Sequence, residues 1–222
     1  MIIAIDGTVC SGKSTVAKKL AKRLNFLHLN TGAIYRAVAY VCNKNNVTPQ
    51  EVDRVCDLLK NINYEQTINK SKETIFVVNG QDVTKELYAP AISNLSSCFS
   101  PLPQVREFAR KVQHKIVENT NAVVEGRDIG TVVFPNAEVK FFVTASNDVR
   151  AKRRLNDYMA QGKDVSYKPV LADILERDRQ DMEREISPLA KANDAILFVN
   201  DYDSPEPAVD EMEKIIKERI NL

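Results

Sequence analysis

The sequence lacks the features of a membrane or exported protein. Among its 222 residues, no apolar run approaches the roughly 20 residues that a membrane-spanning helix needs. No basic region precedes the short apolar run Ile2-Ile3-Ala4-Ile5, so the N-terminus does not have the pattern of a signal peptide. We therefore expect a cytoplasmic protein that binds no membrane.

The sequence also has few residues that could bind zinc, and its net charge is close to zero. The four cysteines are widely spaced and form no C-x-x-C pair, and only His28 and His114 could join them, which argues against a zinc site. We interpret the cysteines as free thiols and small core residues.

The formal net charge is +1, so no overall positive field attracts nucleic acid. We expect small-molecule substrates and no nucleic-acid partner. No apolar helix face is left over for a second copy, so we also expect a monomer.

A phosphate-binding motif opens the chain. The stretch GTVCSGKS, residues 7–14, matches G-x-x-x-x-G-K-[ST] at every fixed position. An isoleucine-rich strand precedes it and a helical pattern follows it, which is the context that directs backbone N–H groups and a helix N-terminus at phosphate. Lys13 would reach the β- and γ-phosphates, and the Ser14 hydroxyl would coordinate Mg²⁺. The chain is therefore predicted to bind a nucleoside triphosphate, and the absence of an Asn-Lys-x-Asp motif argues against a GTPase.

Apolar strands alternate with helical patterns along the chain, which predicts an α/β fold with a parallel sheet covered by helices on both faces. The polar, β-prone stretch Ile62–Val83 contains Asn79-Gly80, the strongest short hairpin signal, so a small antiparallel insert is expected there. Strands are expected at Met1–Ile5, Phe26–Leu29, Ala122–Val124, Val139–Val143 and Ala195–Val199. Helices are expected from Gly12 and at Gly32–Asn43, Pro49–Leu59, Ala89–Ser97, Pro103–Glu118, Asp148–Gln161, Lys168–Glu185 and Pro205–Ile220.

Arginines follow two of these strands. Arg36 ends the stretch NTGAIYR after the second strand, and Arg127 lies in EGRD after the third. Because the ligands of an open parallel sheet bind at the carboxyl ends of its strands, both arginines are expected at the same edge as Lys13. Each arginine could instead form a salt bridge at the surface, but such exposed ion pairs contribute little to the stability of a protein. Arginines around a phosphate loop favour a binding role.

A charged helical stretch at 176–184 carries further arginines. Arg177, Asp181 and Arg184 are spaced i, i+4 and i+7, so they share one helix face. Taken alone, this stretch would be interpreted as a solvated face held by ion pairs. Together with the arginines at the strand ends, we interpret it as part of a phosphate site.

A phosphate group as the acceptor accounts best for this excess of arginine. Phosphoryl transfer depends mainly on positioning and on stabilising charge. A phosphate monoester is already ionised at neutral pH, since its second pKa is about 6, and it needs no general base, whereas a hydroxyl acceptor would want one. The planar fork of arginine also binds phosphate oxygens in pairs. The residues alone therefore predict a nucleoside monophosphate kinase.

The same motifs resemble those of bacterial cytidylate kinases over nearly the whole chain. The similarity lies in GTVCSGKST, TGAIYR, SSCFSPLPQVR, EGRDIGTVVFP and ERDRQDMEREISPL. It implies a P-loop α/β kinase with a five-stranded parallel sheet, which transfers the γ-phosphate of ATP to CMP or dCMP with Mg²⁺. It also implies a small antiparallel insert that binds the monophosphate and a mobile helical lid that brings Arg177 and Arg184 in from a distance. The expected parts are a core at 1–60, 103–150 and 186–222, the insert at 61–102 and the lid at 151–185.

The resemblance assigns a role to each matching residue. ATP would bind Gly7, Thr8, Val9, Cys10, Ser11, Gly12, Lys13, Ser14 and Thr15, with Arg150, Arg153 and Arg154 at the lid entrance, and Ser14 would be the metal ligand. The catalytic cations would be Lys13, Arg36, Arg127 and Arg177. The acceptor would bind Thr31, Arg36, Ser97, Arg106, Arg127, Asp128, Arg177, Asp181 and Arg184.

The base of the acceptor would be recognised by its hydrogen-bonding edge. Cytosine offers acceptors at N3 and O2 and a donor at N4. Arg106 can donate to the two acceptors, and Asp128 or Ser97 can accept from N4. Uracil reverses two of these groups, so such a site would disfavour UMP by leaving polar groups unpaired.

Three positions depart from the usual pattern of this family. Thr8 stands where the family usually has Pro, Asn30 where it usually has Asp, and Glu125 where Asp is frequent. Losing the carboxylate at position 30 leaves the positioning of Mg²⁺ open, and Glu125 could either bind a metal water or orient Arg127. A UMP or dTMP kinase of the same fold, a small-metabolite kinase and a nonenzymatic nucleotide-binding module remain as alternatives.

Overall fold

The computed structural model describes residues 1–68, 74–160 and 162–220. Small parts of the expected elements lie outside the described residues, namely 69–73 of the insert, Gln161 at the end of an expected helix, and 221–222 of the core. The chain divides into two compact units, Met1–Leu29 with Asn119–Leu222, and Asn30–Glu118.

The helices and strands follow the expected order along the chain. They are β1 (Ile2–Gly7), α1 (Lys13–Leu24), β2 (Leu27–Asn30), α2 (Thr31–Lys44), α3 (Val52–Lys60), β3 (Tyr64–Ile68), β4 (Thr74–Val78), β5 (Gln81–Asp82), α4 (Thr84–Leu87), α5 (Pro90–Phe99), α6 (Pro103–Val117), β6 (Ala122–Gly126), a π-helix (Ile129–Val133), β7 (Val139–Thr144), α7 (Asn147–Ala160), α8 (Tyr167–Glu183), β8 (Ile196–Val199) and α9 (Pro205–Ile220).

A five-stranded sheet with the order β2-β6-β1-β7-β8 forms the centre of the first unit. β1 pairs in parallel with β6 and β7, and β8 pairs in parallel with β7. Ile3, Ala4 and Ile5 of β1 are all fully buried. Since successive side chains of a strand point to opposite faces, both faces of β1 are covered, as in a parallel sheet. The expected five-stranded parallel sheet is confirmed.

Two helices pack on this sheet through their apolar stripes. Val16 and Leu20 of α1 are buried with Val209 and Met212 of α9 against Phe141 of β7. The spacing of these residues is helical, so each helix turns one continuous apolar face to the sheet. This packing holds the start of α1, and with it the phosphate motif, at the carboxyl end of β1.

The second unit joins helices to a small antiparallel sheet of β3, β4 and β5. The Asn79-Gly80 turn connects β4 to β5, which confirms the expected hairpin. Ile34 and Ala37 of α2 share a buried cluster with Phe76 of β4. The helices α2, α3 and α6, expected in the core, group with the insert by their contacts. The functional division into core, insert and lid stays a prediction.

Two elements were not expected from the sequence. Helix α4 is a single turn of four residues, too short to show a helical period. The π-helix begins where the backbone N–H groups of Ile129 and Gly130 donate to the carboxylate of Asp6, at 2.8 and 2.7 Å, so a residue more than 100 positions away decides its start. No helix among the described residues is long and apolar enough to cross a membrane.

Candidate active site

The loop of residues 7–14 connects β1 to α1, and a glycine at each end allows its path. A Cβ on Gly7 would lie 1.9 Å from the carbonyl oxygen of Val143, which accepts a hydrogen bond from the Thr8 N–H at 3.2 Å. Gly12 has a φ of +82°, and a Cβ there would lie 2.6 Å from Asn200 Nδ2. Close packing against the ends of β7 and β8 therefore requires glycine at both positions.

The buried side chain of Lys13 folds back onto the backbone of the loop. Its Nζ donates to the Thr8 carbonyl at 3.1 Å, and the Ser11 hydroxyl donates to the same oxygen at 3.0 Å. Lys13 is only 7% exposed. Burial, with the charge of Arg127, lowers the pKa of Lys13 to about 7, although Glu125 raises it in part. A buried ammonium group with too little countercharge is suited to an anionic ligand such as a phosphate chain.

Ser14 belongs to a buried group with Glu125 and His28. The Ser14 hydroxyl donates to Glu125 Oε2, and His28 Nε2 lies 3.3 Å from Glu125 Oε1. Glu125, at the end of β6, is only 3% exposed. Burial raises the pKa of Glu125, but its contacts with His28, Lys13 and Ser14 outweigh that effect and hold the pKa below its usual value. The carboxylate therefore stays ionised.

This donor set fits Mg²⁺. Because the Ser14 proton is committed to Glu125, the lone pairs of the hydroxyl oxygen remain available to a cation. No group of three or more His, Cys, Asp or Glu side chains that could hold a metal occurs in the part of the chain that the structure describes. Mg²⁺ is commonly held by one or two protein oxygens together with substrate phosphates and water, so a single hydroxyl is a sufficient protein ligand.

A cavity of about 350 Å³ opens beside the loop. Asn200 Nδ2 donates to the Ser11 carbonyl at 2.8 Å, and Arg153 donates to the carbonyls of Asn200 and Tyr202 at 3.1 and 2.8 Å. Arg153, expected at the lid entrance, lines this cavity together with residues of the loop, and its contact with ATP stays a prediction. The lining residues are Cys10, Ser11, Gly12, Lys13, Ser14, Thr15, Val16, Arg153, Asp157, Asn200, Tyr202, Asp203, Ser204 and Pro205.

Asn200 and Tyr202 were not among the expected site residues. Both follow β8, so the rule that ligands bind at the carboxyl ends of strands could have found them had it been applied to the last strand. Asp6 was missed as well. It is buried, and although two backbone hydrogen bonds lower its pKa, burial raises the pKa of Asp6 to about 6.

The charged residues of α8 meet the end of β6. Arg127 Nε donates to Asp181 Oδ2 at 2.7 Å. Arg184 lies 3.5 Å from Asp181 and 3.7 Å from Asp128, and its Nε donates to the Ser187 carbonyl. Burial, followed by the charge of Arg127, lowers the pKa of Arg177 below its usual value. The structure therefore brings Arg127, Asp128, Asp181 and Arg184 together, with Arg177 within electrostatic reach of Arg127.

The two terminal nitrogens of the Arg150 guanidinium are hydrogen-bonded to protein groups. It is 4% exposed, and its guanidinium donates to the Val9 carbonyl at 3.2 Å, to Asn147 at 2.7 Å and to Asp178. Asp178 in turn accepts from the Val9 N–H at 2.9 Å. Arg150 thus supports the phosphate loop, and a direct contact with ATP stays a prediction. Helix α8 is joined to the loop by the Asp178–Val9 bond, and the mobility of the lid also stays a prediction.

Four of the remaining expected site residues lie in the second unit, and one lies in the first. On α2, the Arg36 guanidinium carbon lies 5.0 Å from the centre of the Tyr88 ring, and Thr31 is buried. On α6, Arg106 donates to the Ser100 carbonyl at 3.2 Å and lies 5.6 Å above the Tyr35 ring. Ser97 lies on α5. Arg154, in the first unit, stacks on Tyr158 at 4.8 Å.

Comparison with known proteins places the chain among relatives of one activity. The family model described as "Cytidylate kinase" matches residues 3–218. A protein named "Cytidylate kinase" from Carboxydothermus hydrogenoformans is 46% identical over 197 residues, which is 89% of this chain and 88% of that protein. A "Cytidylate kinase" from Thermosipho melanesiensis is 42% identical over 221 residues, or 99% of this chain and 98% of that protein.

A solved structure shares the fold at much lower identity. It is described as an uncharacterized protein from Eubacterium ventriosum, with a TM-score of 0.53, 15% identity and coverage of 98% of each chain. The fold, the phosphate loop and these relatives define a nucleoside monophosphate kinase. The chain belongs to the cytidylate kinase family, as the sequence resemblance implied.

Proposed function

We propose that this (d)CMP kinase binds ATP at the loop of residues 7–14, with Mg²⁺ on the Ser14 hydroxyl, and transfers the γ-phosphate to CMP or dCMP. The observation that carries the proposal is Lys13, a buried ammonium group next to the Ser14–Glu125 pair. This arrangement provides a cation for the β- and γ-phosphates and a hydroxyl for the metal at adjacent positions.

The donor side is supported by the cavity beside the loop. A volume of about 350 Å³ is within the range of small-molecule sites. Its lining offers the backbone of the loop and the guanidinium of Arg153, whose position is fixed by the carbonyls of Asn200 and Tyr202. In this proposal the triphosphate lies along the loop, and the nucleoside extends into the cavity.

The acceptor side is supported by the arginines. In the first unit, the three arginines Arg127, Arg177 and Arg184 are grouped with the two carboxylates of Asp128 and Asp181, which is an excess of one positive charge. Arginine beside arginine is unfavourable unless an anion joins them, and a phosphate monoester brings close to two negative charges. In the second unit, Arg36 and Arg106 are held by aromatic rings. The family resemblance assigns Thr31, Ser97, Asp128, Asp181 and Arg184 to the same nucleotide.

Transfer then needs little covalent chemistry from the protein. An oxygen of the CMP phosphate attacks the γ-phosphorus while the bond to the β,γ-bridging oxygen breaks, giving CDP and ADP. Lys13, Arg36, Arg127 and Arg177 are proposed to stabilise the charge that spreads over the transferring group. Bound Mg²⁺ would add a positive charge at the phosphate oxygens. The acceptor is already ionised, so no side chain has to remove a proton.

The identity of the products tests the proposal. Incubating the enzyme with ATP, Mg²⁺ and either CMP, UMP or dTMP should form ADP and CDP from CMP, detected by anion-exchange chromatography. We expect kcat/KM for UMP to be at least about a hundredfold lower, because a site built for cytosine leaves polar groups unpaired with uracil. Equal activity on UMP and CMP would contradict the proposed base recognition.

Light scattering would test whether the enzyme is a monomer.

A further inference from the structure

One histidine near the phosphate loop contacts the buried carboxylate of the site but is not itself among the expected site residues. His28 lies on β2, the edge strand beside β6, and the Leu27 N–H donates to the Asn121 carbonyl at 2.9 Å, which fixes β2 against the start of β6. The His28 side chain is 14% exposed and its Nε2 lies 3.3 Å from Glu125 Oε1. Its partner is therefore the buried carboxylate that also contacts Ser14.

The two oxygens of Glu125 have different partners. Oε2 accepts from the Ser14 hydroxyl on α1, and Oε1 faces His28 on β2. The last torsion of a glutamate side chain is only weakly restricted by its own geometry. Contacts at both oxygens hold this torsion from two sides, so the plane of the carboxylate is set by α1 and β2 together.

The length of the glutamate makes the second contact more important. Glutamate has one rotatable bond more than aspartate, and each free torsion must be restrained by packing or by a polar contact. Without the contact to His28, the carboxylate loses one of its restraints, so its hydrogen bond with the Ser14 hydroxyl is held less firmly. The lone pairs of the hydroxyl would then lose their fixed direction.

We propose that His28 is a positioning residue for the binding of the metal–nucleotide complex: it holds Glu125 in the orientation that presents the Ser14 hydroxyl to Mg²⁺. This inference rests on the proposed function of the loop. In this proposal His28 acts through Glu125, which its Nε2 contacts, as residues behind a metal ligand commonly do.

The experiment compares two amides at position 28. In His28→Gln the amide nitrogen lies near the position of the imidazole Nε2, so the contact with Glu125 is retained. In His28→Asn the same amide is one methylene shorter and does not reach. Isothermal titration calorimetry on the full chain would measure the Kd for ADP with Mg²⁺ and, separately, with EDTA. Circular dichroism and urea unfolding would confirm that both variants are folded.

We expect His28→Asn to weaken Mg²⁺·ADP binding about tenfold, while His28→Gln stays within about threefold of the original protein. Binding of metal-free ADP should change by less than about twofold in both, because the phosphate contacts of the loop are intact. Equal weakening of ADP with and without metal would overturn the proposal and assign His28 to structural support. Unchanged Mg²⁺·ADP binding in His28→Asn would overturn it as well.

The shorter carboxylate provides a second test. In Glu125→Asp the carboxylate reaches less far, so it cannot contact both partners. Adding His28→Asn to this variant should then change the Mg²⁺·ADP affinity by less than about twofold. A full tenfold effect in this background would contradict action through Glu125. These measurements need no CMP, so their outcome is independent of the product assay that tests the acceptor.

Discussion

Arg127 and Asp181 form a 2.7 Å ion pair that joins the residue after β6 to helix α8. Both side chains are largely buried. Burial raises the pKa of Asp181, but the charges of Arg127, Arg184 and Arg177 outweigh it and hold the pKa below its usual value. The pair therefore remains charged, and it fixes the orientation of the Arg127 guanidinium in the group that also contains Arg177 and Arg184.

Replacing Arg127 should separate turnover from ATP binding. We expect Arg127→Ala to lower kcat about a thousandfold, because arginines that stabilise phosphoryl transfer contribute on this scale. The Kd for ATP should stay within about threefold, since the loop residues that grip the donor are unchanged. Steady-state kinetics and calorimetry would measure the two quantities. Arg179→Ala is the matched control, because Arg179 is exposed and pairs only with Glu176 and Glu183 on its own helix in the described structure. Equal losses of turnover and ATP binding would contradict a role in the transition state.

Removing the charge of Asp178 should loosen the phosphate loop. Asp178 accepts from the Val9 N–H at 2.9 Å and pairs with buried Arg150. In Asp178→Asn the Arg150 cation would lose its buried charge partner, so we expect the free energy of unfolding to fall by about 3 kcal/mol.

The affinity for ATP should fall with it, by about tenfold, because Val9 lies in the loop. Urea unfolding and calorimetry would measure the two effects. Glu176→Gln on the same helix removes an exposed charge and should change the stability by less than about 1 kcal/mol. Similar destabilisation by both variants would contradict the special role of Asp178.

A methyl group at position 12 should strongly weaken nucleotide binding. Gly12→Ala puts a Cβ 2.6 Å from Asn200 Nδ2, at a backbone φ of +82°. The loop or Asn200 has to move, and the Ser11–Asn200 hydrogen bond is lost with that movement. Gly80→Ala is the control, because its φ is +79° but, beyond its chain neighbours, no atom of the described residues lies within 4 Å of the added Cβ.

The control should cost about 1 kcal/mol of stability through backbone strain alone, with nucleotide binding unchanged. We expect ATP binding by Gly12→Ala to be at least about a hundredfold weaker, measured by calorimetry. Normal ATP affinity in Gly12→Ala would show that the loop tolerates the displacement.

Asp6 should make the stability depend on pH between about 4 and 6. Its pKa is raised from 3.8 to about 6 by burial. In this window the folded protein keeps the proton that the unfolded chain has released, so the folded state binds more protons and its stability falls as pH rises. Above pH 6 the effect is complete.

The loss attributable to Asp6 is about 2 to 3 kcal/mol, since each tenfold change in acid dissociation corresponds to about 1.4 kcal/mol. Asp6→Asn has no proton to release. From pH 4.5 to pH 7, the unfolding free energy of the original protein should therefore fall relative to that of the variant. Urea unfolding of both proteins at the two pH values would measure this change. Parallel pH profiles would contradict the raised pKa.

Most of the fold follows from local sequence patterns. Strands β1 and β7 are marked by apolar runs, and helix α1 is marked by the helical spacing of Val16, Leu20 and Leu24. These patterns depend only on near neighbours in the chain, so the bounds of the three elements were predicted within a few residues. Helix α4 and the π-helix were not, since one is too short for a period and the other depends on Asp6. The roles of the site residues in nucleotide binding stay predictions.

By itself, the sequence determined that this chain has a phosphate loop between a strand and a helix, and that arginines follow two of its expected strands. Those properties reside in short motifs, because the loop uses its own backbone and its own lysine. Only the tertiary structure decided that Arg150 supports Val9, that Asn200 borders the cavity and that His28 faces Glu125. Each of these contacts joins residues about 100 or more positions apart, and buried polar groups find such partners only when the packed strands and helices bring them together.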